Sequence, residues 1–200
     1  MISGVTAEHF IEQVGTPFAL EVRKARMCDI APILQLINGY AAKGIMLPRT
    51  ELELSEHIRD FSVVLADGRL LGCGALHFYT PTTGEIRSLA VDESAKTKGV
   101  GRRVVEQLVE EAYEYDLDGV FAFTYVPEFF RRVGFHEVER GVLPLKAWKD
   151  CLRCPKFQCC DEIPVVRILN HRRWGEGTTH TWGELEVSDN LIQLPTLKVG

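Results

Sequence analysis

The 200-residue sequence lacks the features that mark membrane-bound, secreted and nucleic-acid-binding proteins. No apolar stretch approaches the roughly 20 residues that a helix needs to cross a bilayer. The N-terminus has no basic segment followed by an apolar one, so we expect no signal peptide. An excess of basic residues is missing too, because the net charge is −5 at pH 7. We therefore expect no membrane partner and no nucleic-acid partner.

The cysteines are not spread along the chain as in a disulfide framework. Of six cysteines, four lie between positions 151 and 160. This crowding fits a reducing compartment, and we expect a cytoplasmic protein. Four thiolates can bind zinc, and the candidate ligands are Cys151, Cys154, Cys159 and Cys160, or three of these with His136 or His171. Reduced thiols in a substrate loop are the simpler interpretation, so we predict no metal.

The hydrophobic content of 46% supports one globular domain with a real core. Alternating strand-like and helix-like segments predict an α/β (α+β) fold, with a mixed sheet of about six to seven strands and helices on both faces. We place an extension at 1–19, the folded domain at 20–170 and a polar tail at 171–200, which either folds back or stays loose. Strands are predicted at 20–23, 61–66, 70–78, up to 91, 120–125, 135–139 and 165–169. Helices are predicted at 30–38 with Asp29 as N-cap, at 51–58, from 100 onward and at 128–134.

Residues 85–101 are the most informative segment, with the sequence Glu-Ile-Arg-Ser-Leu-Ala-Val-Asp-Glu-Ser-Ala-Lys-Thr-Lys-Gly-Val-Gly. A strand-like run ends at Val91, and a polar loop and a Gly-x-Gly step lead into a segment with apolar residues at helical spacing. The first N–H groups of a helix lack internal partners and attract anions, and nearby lysines and arginines add positive charge. The segment therefore predicts a phosphate site. A dinucleotide-binding motif fits less well, because its third glycine position holds Val104.

This block resembles the GNAT superfamily of acyl-CoA N-acetyltransferases. Those enzymes carry Gln/Arg-x-x-Gly-x-Gly/Ala between a strand and a helix, and this chain has Lys96-Thr-Lys-Gly-Val-Gly101, in which lysine departs from the pattern but keeps a cation. The segment 128–135, which ends in Gly-Phe, matches the downstream part of the superfamily. The resemblance implies acetyl-CoA as co-substrate and two strands that separate after Val91 and Tyr125 to admit its pantetheine arm. The implied cofactor-binding residues are Leu89, Ala90, Val91, Lys96, Lys98, Gly99, Val100, Gly101 and Arg102.

Five further segments narrow the resemblance, at 45–50, 72–77, 85–91, 124–130 and 143–156. Together they resemble the acetyltransferase domain of the N-acetylglutamate synthases, especially the short form without an amino-acid kinase domain, over about residues 20–170. This implies a small amino acid, L-glutamate, as acceptor and a place in arginine biosynthesis. Arginine is the natural bidentate partner of a carboxylate. The implied substrate-binding residues are Arg49, Arg87, Lys156 and, as second choice to Lys156, Arg153.

The resemblance also implies a direct transfer in which the acceptor amine attacks the thioester. Glu85 matches the glutamate of the family and is our candidate base. The alternatives are a counter-ion of Arg87 and a surface residue of the strand. Backbone N–H groups from Leu89 to Val91 are candidates for holding the oxyanion. The usual tyrosine acid is replaced by Phe130, and Tyr125 is the substitute that we predict. Another small amine as acceptor, a CoA-binding sensor without turnover and a homodimer remain open.

Overall fold

The computed structural model describes residues 20–139, 143, 154, 156 and 159–177. Within this part the strands form one seven-stranded sheet in the order β1-β2-β3-β4-β5-β7-β6. The strands are β1 (Glu21–Lys24), β2 (Phe61–Ala66), β3 (Arg69–Thr80), β4 (Thr83–Val91), β5 (Gly119–Thr124), β6 (His136–Glu137) and β7 (Ile163–Ile168). The helices are α1 (Ile30–Ala41), α2 (Glu51–His57), α3 (Val100–Glu114), α4 (Pro127–Arg132) and α5 (His171–Gly177). The predicted mixed sheet of six to seven strands is confirmed.

The sheet is antiparallel except at its centre, where β4 and β5 are parallel neighbours. Helix α3 connects these two strands along the chain. Helices cover both faces, as the sequence predicts. The core on one face contains the buried residues of α3 together with Phe130 of α4. The core on the other face contains α1 and α2. The apolar stripe of α3 is fully buried, which explains why its 3.6-residue periodicity is so clear in the sequence.

A β-bulge in β4 separates the two central strands. Cys73 pairs with Ala90 and Ala75 with Arg87, so two residues of β4 lie opposite Gly74 alone. The first of them, Ser88, has a positive φ of 54°, which is uncommon for a residue with a side chain. Strands β4 and β5 pair only from Thr83 to Glu85 among their residues, all of which the structure describes. Beyond Glu85, β5 stays paired with β7 while β4 turns away, and a cleft opens between β4 and β5 at the centre of the sheet.

The hairpin between β2 and β3 forms at the predicted turn. Asp67 and Gly68 both have positive φ values, 50° and 75°, which is the conformation of a type I′ turn. The prediction for Asp29 is wrong, since its side chain does not cap α1. The carboxylate instead accepts hydrogen bonds of 2.7 and 3.0 Å from Arg23. It also accepts a hydrogen bond of 2.7 Å from the backbone N–H of Arg26, so its partners lie on the N-terminal side and not in the first turn of α1.

The end of the described chain packs against the sheet. Helix α5 begins in the segment that we predicted as a tail, and Trp174 lies against Gly119 at the start of β5. Trp174 joins a small cluster that also contains Phe121 and Val166. Strand β6 is two residues long, shorter than the predicted 135–139 segment. Among the described residues, no helix has both the length and the apolar run required to cross a bilayer.

Candidate active site

The separation of β4 and β5 opens into a cavity of about 200 Å³. Its walls come from the loop between α1 and α2, from β4, and from the end of β5 with the start of α4. The lining residues are Ile45, Met46, Leu47, Arg49, Glu85, Ile86, Arg87, Ser88, Leu89, Phe123, Thr124, Tyr125, Val126, Phe130 and Glu162. Four of the predicted catalytic and substrate-binding residues, Glu85, Tyr125, Arg49 and Arg87, therefore meet in one cavity.

Glu85 lies at the floor of this cavity and is 2% exposed. It pairs in register with His77 of β3 on one side and with Phe121 of β5 on the other. A carboxylate at this depth is rare in a protein unless specific partners satisfy it. The burial of Glu85 at the point where β4 and β5 separate fits a role in chemistry better than a role on the surface.

Arg49 is held at the cavity wall by the side-chain amide of Asn38. The Arg49 N–H donates to Asn38 Oδ1 at 2.9 Å, and Asn38 Nδ2 donates to the Arg49 carbonyl at 3.0 Å. The next residue, Thr50, caps α2 and forms a capping box with Glu53. These contacts fix the backbone of Arg49 on both sides of the residue, at the wall of the cavity that Arg49 lines.

Arg87 lies two residues beyond Glu85 on the same face of β4, so both side chains reach the cavity. Its side chain is 16% exposed, and Nη2 lies 3.8 Å from Oδ2 of Asp60. Two guanidinium groups, from Arg49 and Arg87, thus stand beside the buried Glu85. This pattern of charges suits an acceptor that carries carboxylates next to an amine.

Tyr125 follows β5 and lines the opening of the cavity. The phenol is protonated at neutral pH because the ordinary pKa of tyrosine is about 10, and partial burial raises this pKa further. Lys156 Nζ lies 4.8 Å from the centre of the Tyr125 ring and also donates to Asp161 at 3.0 Å. The predicted cation Lys156 is therefore beside the cavity, engaged with Asp161, and the alternative Arg153 lies outside the described residues.

The predicted phosphate loop leads into α3 with its backbone exposed. Gly99 precedes the helix with a φ of 75°, and a Cβ at this position would meet no atom within 4 Å. No side chain in the described part of the chain caps this end of α3. The N–H groups of its first turn therefore remain available to an anion. At Gly101 an added Cβ would lie 3.3 Å from the ring of Phe129, so this position favours glycine.

The cations of the loop differ in their surroundings. Lys96 donates to Glu93 at 2.9 Å and lies over the Tyr40 ring, at 5.3 Å from its centre, and Glu93 raises the pKa of its ammonium group. Arg102 pairs with Glu106 one turn along α3, at 2.7 Å. Lys98 is exposed at the surface of the loop. Lys96 thus keeps its charge, but it is anchored on the α1 side of the loop.

The predicted oxyanion-binding segment lies along the separated part of β4. The side chain of Ala90 is buried in the core, and those of Leu89 and Val91 are partly buried. Val100 is fully buried and contributes to the loop through its backbone. The Val91 carbonyl accepts a hydrogen bond of 2.6 Å from the Tyr40 hydroxyl.

Three of the four clustered cysteines lie in the described part, and Cys151 lies outside it. Cys154, Cys159 and Cys160 are not in disulfide bonds, and the Cys160 thiol donates to Glu162. They are not among the residues that come together in a group of three potential metal ligands within the described part. The prediction of no metal and its four-cysteine alternative both stay untested, since Cys151 lies outside the described residues. Cys73 is a different case, because burial raises the pKa of its thiol to about 12 and leaves it inert.

Sequence reasoning missed three residues around the site: Asn38, Asp60 and Tyr40. The sequence pattern indicates Asn38 only as the last residue of a predicted helix. Its side-chain amide both donates and accepts hydrogen bonds, and it binds the backbone of Arg49 through both. Asp60 lies close to Arg87 through tertiary packing, which no local pattern reveals. Tyr40 joins α1 to the end of β4 across more than fifty residues.

Comparison with known proteins places these features in a family. A sequence model of the Acetyltransferase (GNAT) family matches residues 33–141. An uncharacterized N-acetyltransferase of Chlorobaculum tepidum is 45% identical over 148 residues, which is 74% of this chain and 96% of that protein. An amino-acid acetyltransferase of Mycobacterium tuberculosis is 40% identical over 121 residues, which is 59% of this chain and 69% of that protein.

A solved structure is similar in fold as well as sequence. It is the N-acetylglutamate synthase of Neisseria gonorrhoeae, complexed with coenzyme A and N-acetyl-glutamate. The TM-score is 0.67 at 29% sequence identity. The match covers 76% of this chain and 35% of that chain, so the similarity concerns about a third of the synthase.

Proposed function

This chain belongs to the GNAT family of acetyltransferases, and from that premise we propose that it acetylates the α-amine of L-glutamate. Its relatives make it an N-acetyltransferase that uses acetyl-CoA. The acceptor is the part that we propose. N-Acetylglutamate as product would place the reaction at the entry to arginine biosynthesis. A complex of a similar structure with N-acetyl-glutamate supports this choice.

The observation that carries the proposal is the meeting of Arg49, Arg87 and Glu85 in one cavity at the split between β4 and β5. L-Glutamate has two carboxylates, and a guanidinium binds a carboxylate through two parallel hydrogen bonds. Two arginines beside one carboxylate match the charges of that substrate.

Proton transfer is assigned to the floor of the cavity. The acceptor arrives mainly as an ammonium ion, so a base must take a proton before the amine attacks the thioester. Glu85 is buried beside the acceptor space and is the proposed base, directly or through a water. Tyr125 stands at the opening with its proton retained, and we assign it to protonate the leaving thiolate.

The acetyl-CoA side of the site is assigned to the loop and to β4. The open N-terminus of α3 at Gly99 suits the pyrophosphate, since its N–H groups point outward without a cap. The separated strands leave room for the pantetheine arm. Backbone N–H groups from Leu89 to Val91 are the proposed donors to the developing oxyanion, where each donor contributes about 3 kcal/mol.

Steady-state kinetics with a panel of acceptors tests the proposal. Thiol release is measured with acetyl-CoA and glutamate, glutamine, aspartate or simple amines. We expect the highest kcat/KM with glutamate. Arg49→Ala should raise the KM for glutamate by about tenfold to a hundredfold, because a hydrogen bond to a charged group is lost. The KM for acetyl-CoA should stay near the wild-type value.

Arg59→Ala is the matched control, since Arg59 is an exposed arginine just beyond α2. It should leave both KM values unchanged. If another amine gives a higher kcat/KM than glutamate does, that amine is the preferred acceptor and the proposal of glutamate is wrong. Tight acetyl-CoA binding without turnover on any amine would instead indicate a CoA sensor.

A further inference from the structure

A second cluster of polar side chains lies next to the acceptor cavity. It contains His57 at the end of α2, Asp60 in the 3-10 turn that follows, and His77 on β3. Each residue offers one potential ligand atom, and the three atoms lie within 4.8 Å of one another. In the part of the chain that the structure describes, this is the one group of three or more such residues.

The distances in this cluster match those between ligands of one metal ion. Asp60 Oδ2 lies 3.0 Å from His77 Nδ1 and 3.7 Å from His57 Nδ1. Tetrahedral zinc with bonds of about 2.0–2.2 Å separates its ligand atoms by about 3.4 Å, which lies between those two values. The two imidazole rings are nearly perpendicular, at 86°, and their centres lie 5.8 Å apart.

The backbone holds the three residues in place from two separate elements. His57 and Asp60 are three residues apart on one turn, which continues directly into β2. His77 is on β3, two residues beyond the last pair with β2, at Ala75, and it pairs with Glu85 of β4. The positions of the candidate ligands are therefore fixed by the α2–β2 junction and by the sheet. The segment 151–160, which contains the clustered cysteines, contributes none of the three residues.

The donor types select the class of ion. Two imidazoles and one carboxylate suit zinc, cobalt or nickel, whereas magnesium and calcium prefer oxygen ligands. Three protein ligands leave a fourth position for water. The side chains are between 25% and 32% exposed, so an ion can enter from solvent. We propose that His57, Asp60 and His77 form a binding site for a divalent transition-metal ion of the zinc class.

The site is linked to the cavity through one carboxylate. Arg87 Nη2 lies 3.8 Å from the same Asp60 oxygen that faces both histidines. A bound divalent ion would draw the charge of Asp60 away from Arg87 and would repel the guanidinium. If the proposed function holds, zinc should therefore raise the KM for the amino-acid acceptor. The binding of the metal ion can be measured without turnover, so its test does not depend on the proposed function.

Isothermal titration calorimetry tests the site directly. The full chain is stripped with a chelator, dialysed and titrated with ZnCl₂, and cobalt(II) serves as a spectroscopic probe of the ligand geometry. The parent protein should bind one ion at this site. His57→Gln and His77→Gln should each weaken zinc binding by about tenfold or more. His136→Gln is the matched control, since His136 is exposed on β6. It is made in a chain whose four clustered cysteines are replaced by serine, because His136 is a candidate ligand only together with them, and it should bind zinc like that chain.

The clustered cysteines are a second possible source of zinc affinity, so they are removed in a parallel variant. Replacing Cys151, Cys154, Cys159 and Cys160 by serine should leave the histidine-dependent binding intact. The proposal is overturned if the parent binds no zinc, if binding disappears with the cysteines, or if both histidine variants bind like the parent. Thermal melting by circular dichroism without metal verifies that the variants are folded.

Discussion

At the residue scale, burial and hydrogen bonding separate the residues of the cavity by role. Glu85 is almost completely buried, while Arg49 and Arg87 keep part of their surface open to the cavity. The Asn38 amide fixes the backbone of Arg49 with one donated and one accepted hydrogen bond. In the proposed function, Glu85 therefore carries out the chemical step and the arginines recognise the acceptor.

Glu85→Gln should lower kcat at neutral pH by about 10²–10⁴-fold, because glutamine has a similar shape but cannot accept the proton. The deficit should shrink as the pH rises, since more of the acceptor then arrives as a free amine. Glu110→Gln, an exposed position on α3, should leave kcat unchanged. A Glu85→Gln enzyme with the kcat of the parent would remove Glu85 from the mechanism.

At the scale of the element, two glycines decide the geometry of the cleft. Gly74 lies opposite the bulge in β4, and Gly99 precedes α3 in a left-handed conformation. At Gly74 the absence of a side chain lets α3 pack closely on the sheet. At Gly99 it lets the loop enter the helix with open space in front of the first N–H groups.

Gly74→Ala should destabilise the protein by about 1–3 kcal/mol, as expected for overpacking. The added Cβ would lie 2.8 Å from Val104 Cγ1, and a buried valine has little freedom to move. Gly39→Ala on α1 is the matched control, since its Cβ would meet no atom within 4 Å. It should stabilise the helix by about 0.5–1 kcal/mol. Urea unfolding measures both changes, and equal stability of the two variants would contradict the prediction.

Gly99→Asp should weaken coenzyme A binding far more than Gly99→Asn does. Both residues tolerate a left-handed conformation better than other side chains, so their backbone effects are alike. They differ by one negative charge in front of the α3 N-terminus, where a pyrophosphate would bind. Calorimetric titration with coenzyme A measures the two affinities. Equal affinities would show that the phosphates bind elsewhere.

At the scale of the whole molecule, ion pairs attach the outer strand to the helical layers that cover the sheet. Arg23 of β1 binds Asp29 before α1, and Lys24 binds Glu111 of α3 at 2.7 Å. The pKa of Asp29 is lowered, first by its hydrogen bonds from Arg23. The pKa of Glu111 is raised, because burial outweighs the attraction of Lys24. The two carboxylates therefore have opposite effects on the pH dependence of stability.

Asp29→Asn should lower the free energy of unfolding at pH 7 by about 1.5–3 kcal/mol, the contribution of a hydrogen bond to a charged group. A lowered pKa in the folded state stabilises the protein above the ordinary value of 3.8 and loses this effect as the pH falls below it. The difference between parent and variant should therefore shrink below about pH 4. Chemical unfolding at several pH values measures this difference in the free energy of unfolding. The effect of Glu111 cancels from the difference, because both proteins retain that residue. A constant difference down to pH 2 would contradict the assignment.

The sequence by itself determined the elements that local periodicity encodes. The apolar stripe of α3, the Asp67-Gly68 turn and the loop 96–101 are local patterns, so the fold and the family followed from them. These features depend on residues within a few positions of each other, and short-range spacing therefore predicts them well.

Only the tertiary structure decided which distant residues share a site. The Asn38–Arg49 clamp, the bulge at Ser88 and the approach of His57 and Asp60 to His77 depend on how helices and strands pack. The same packing drew Asp29 away from its expected cap and toward Arg23. Contacts between residues far apart in the chain arise from the competition of many partners in the folded core, and local spacing contains no record of that competition.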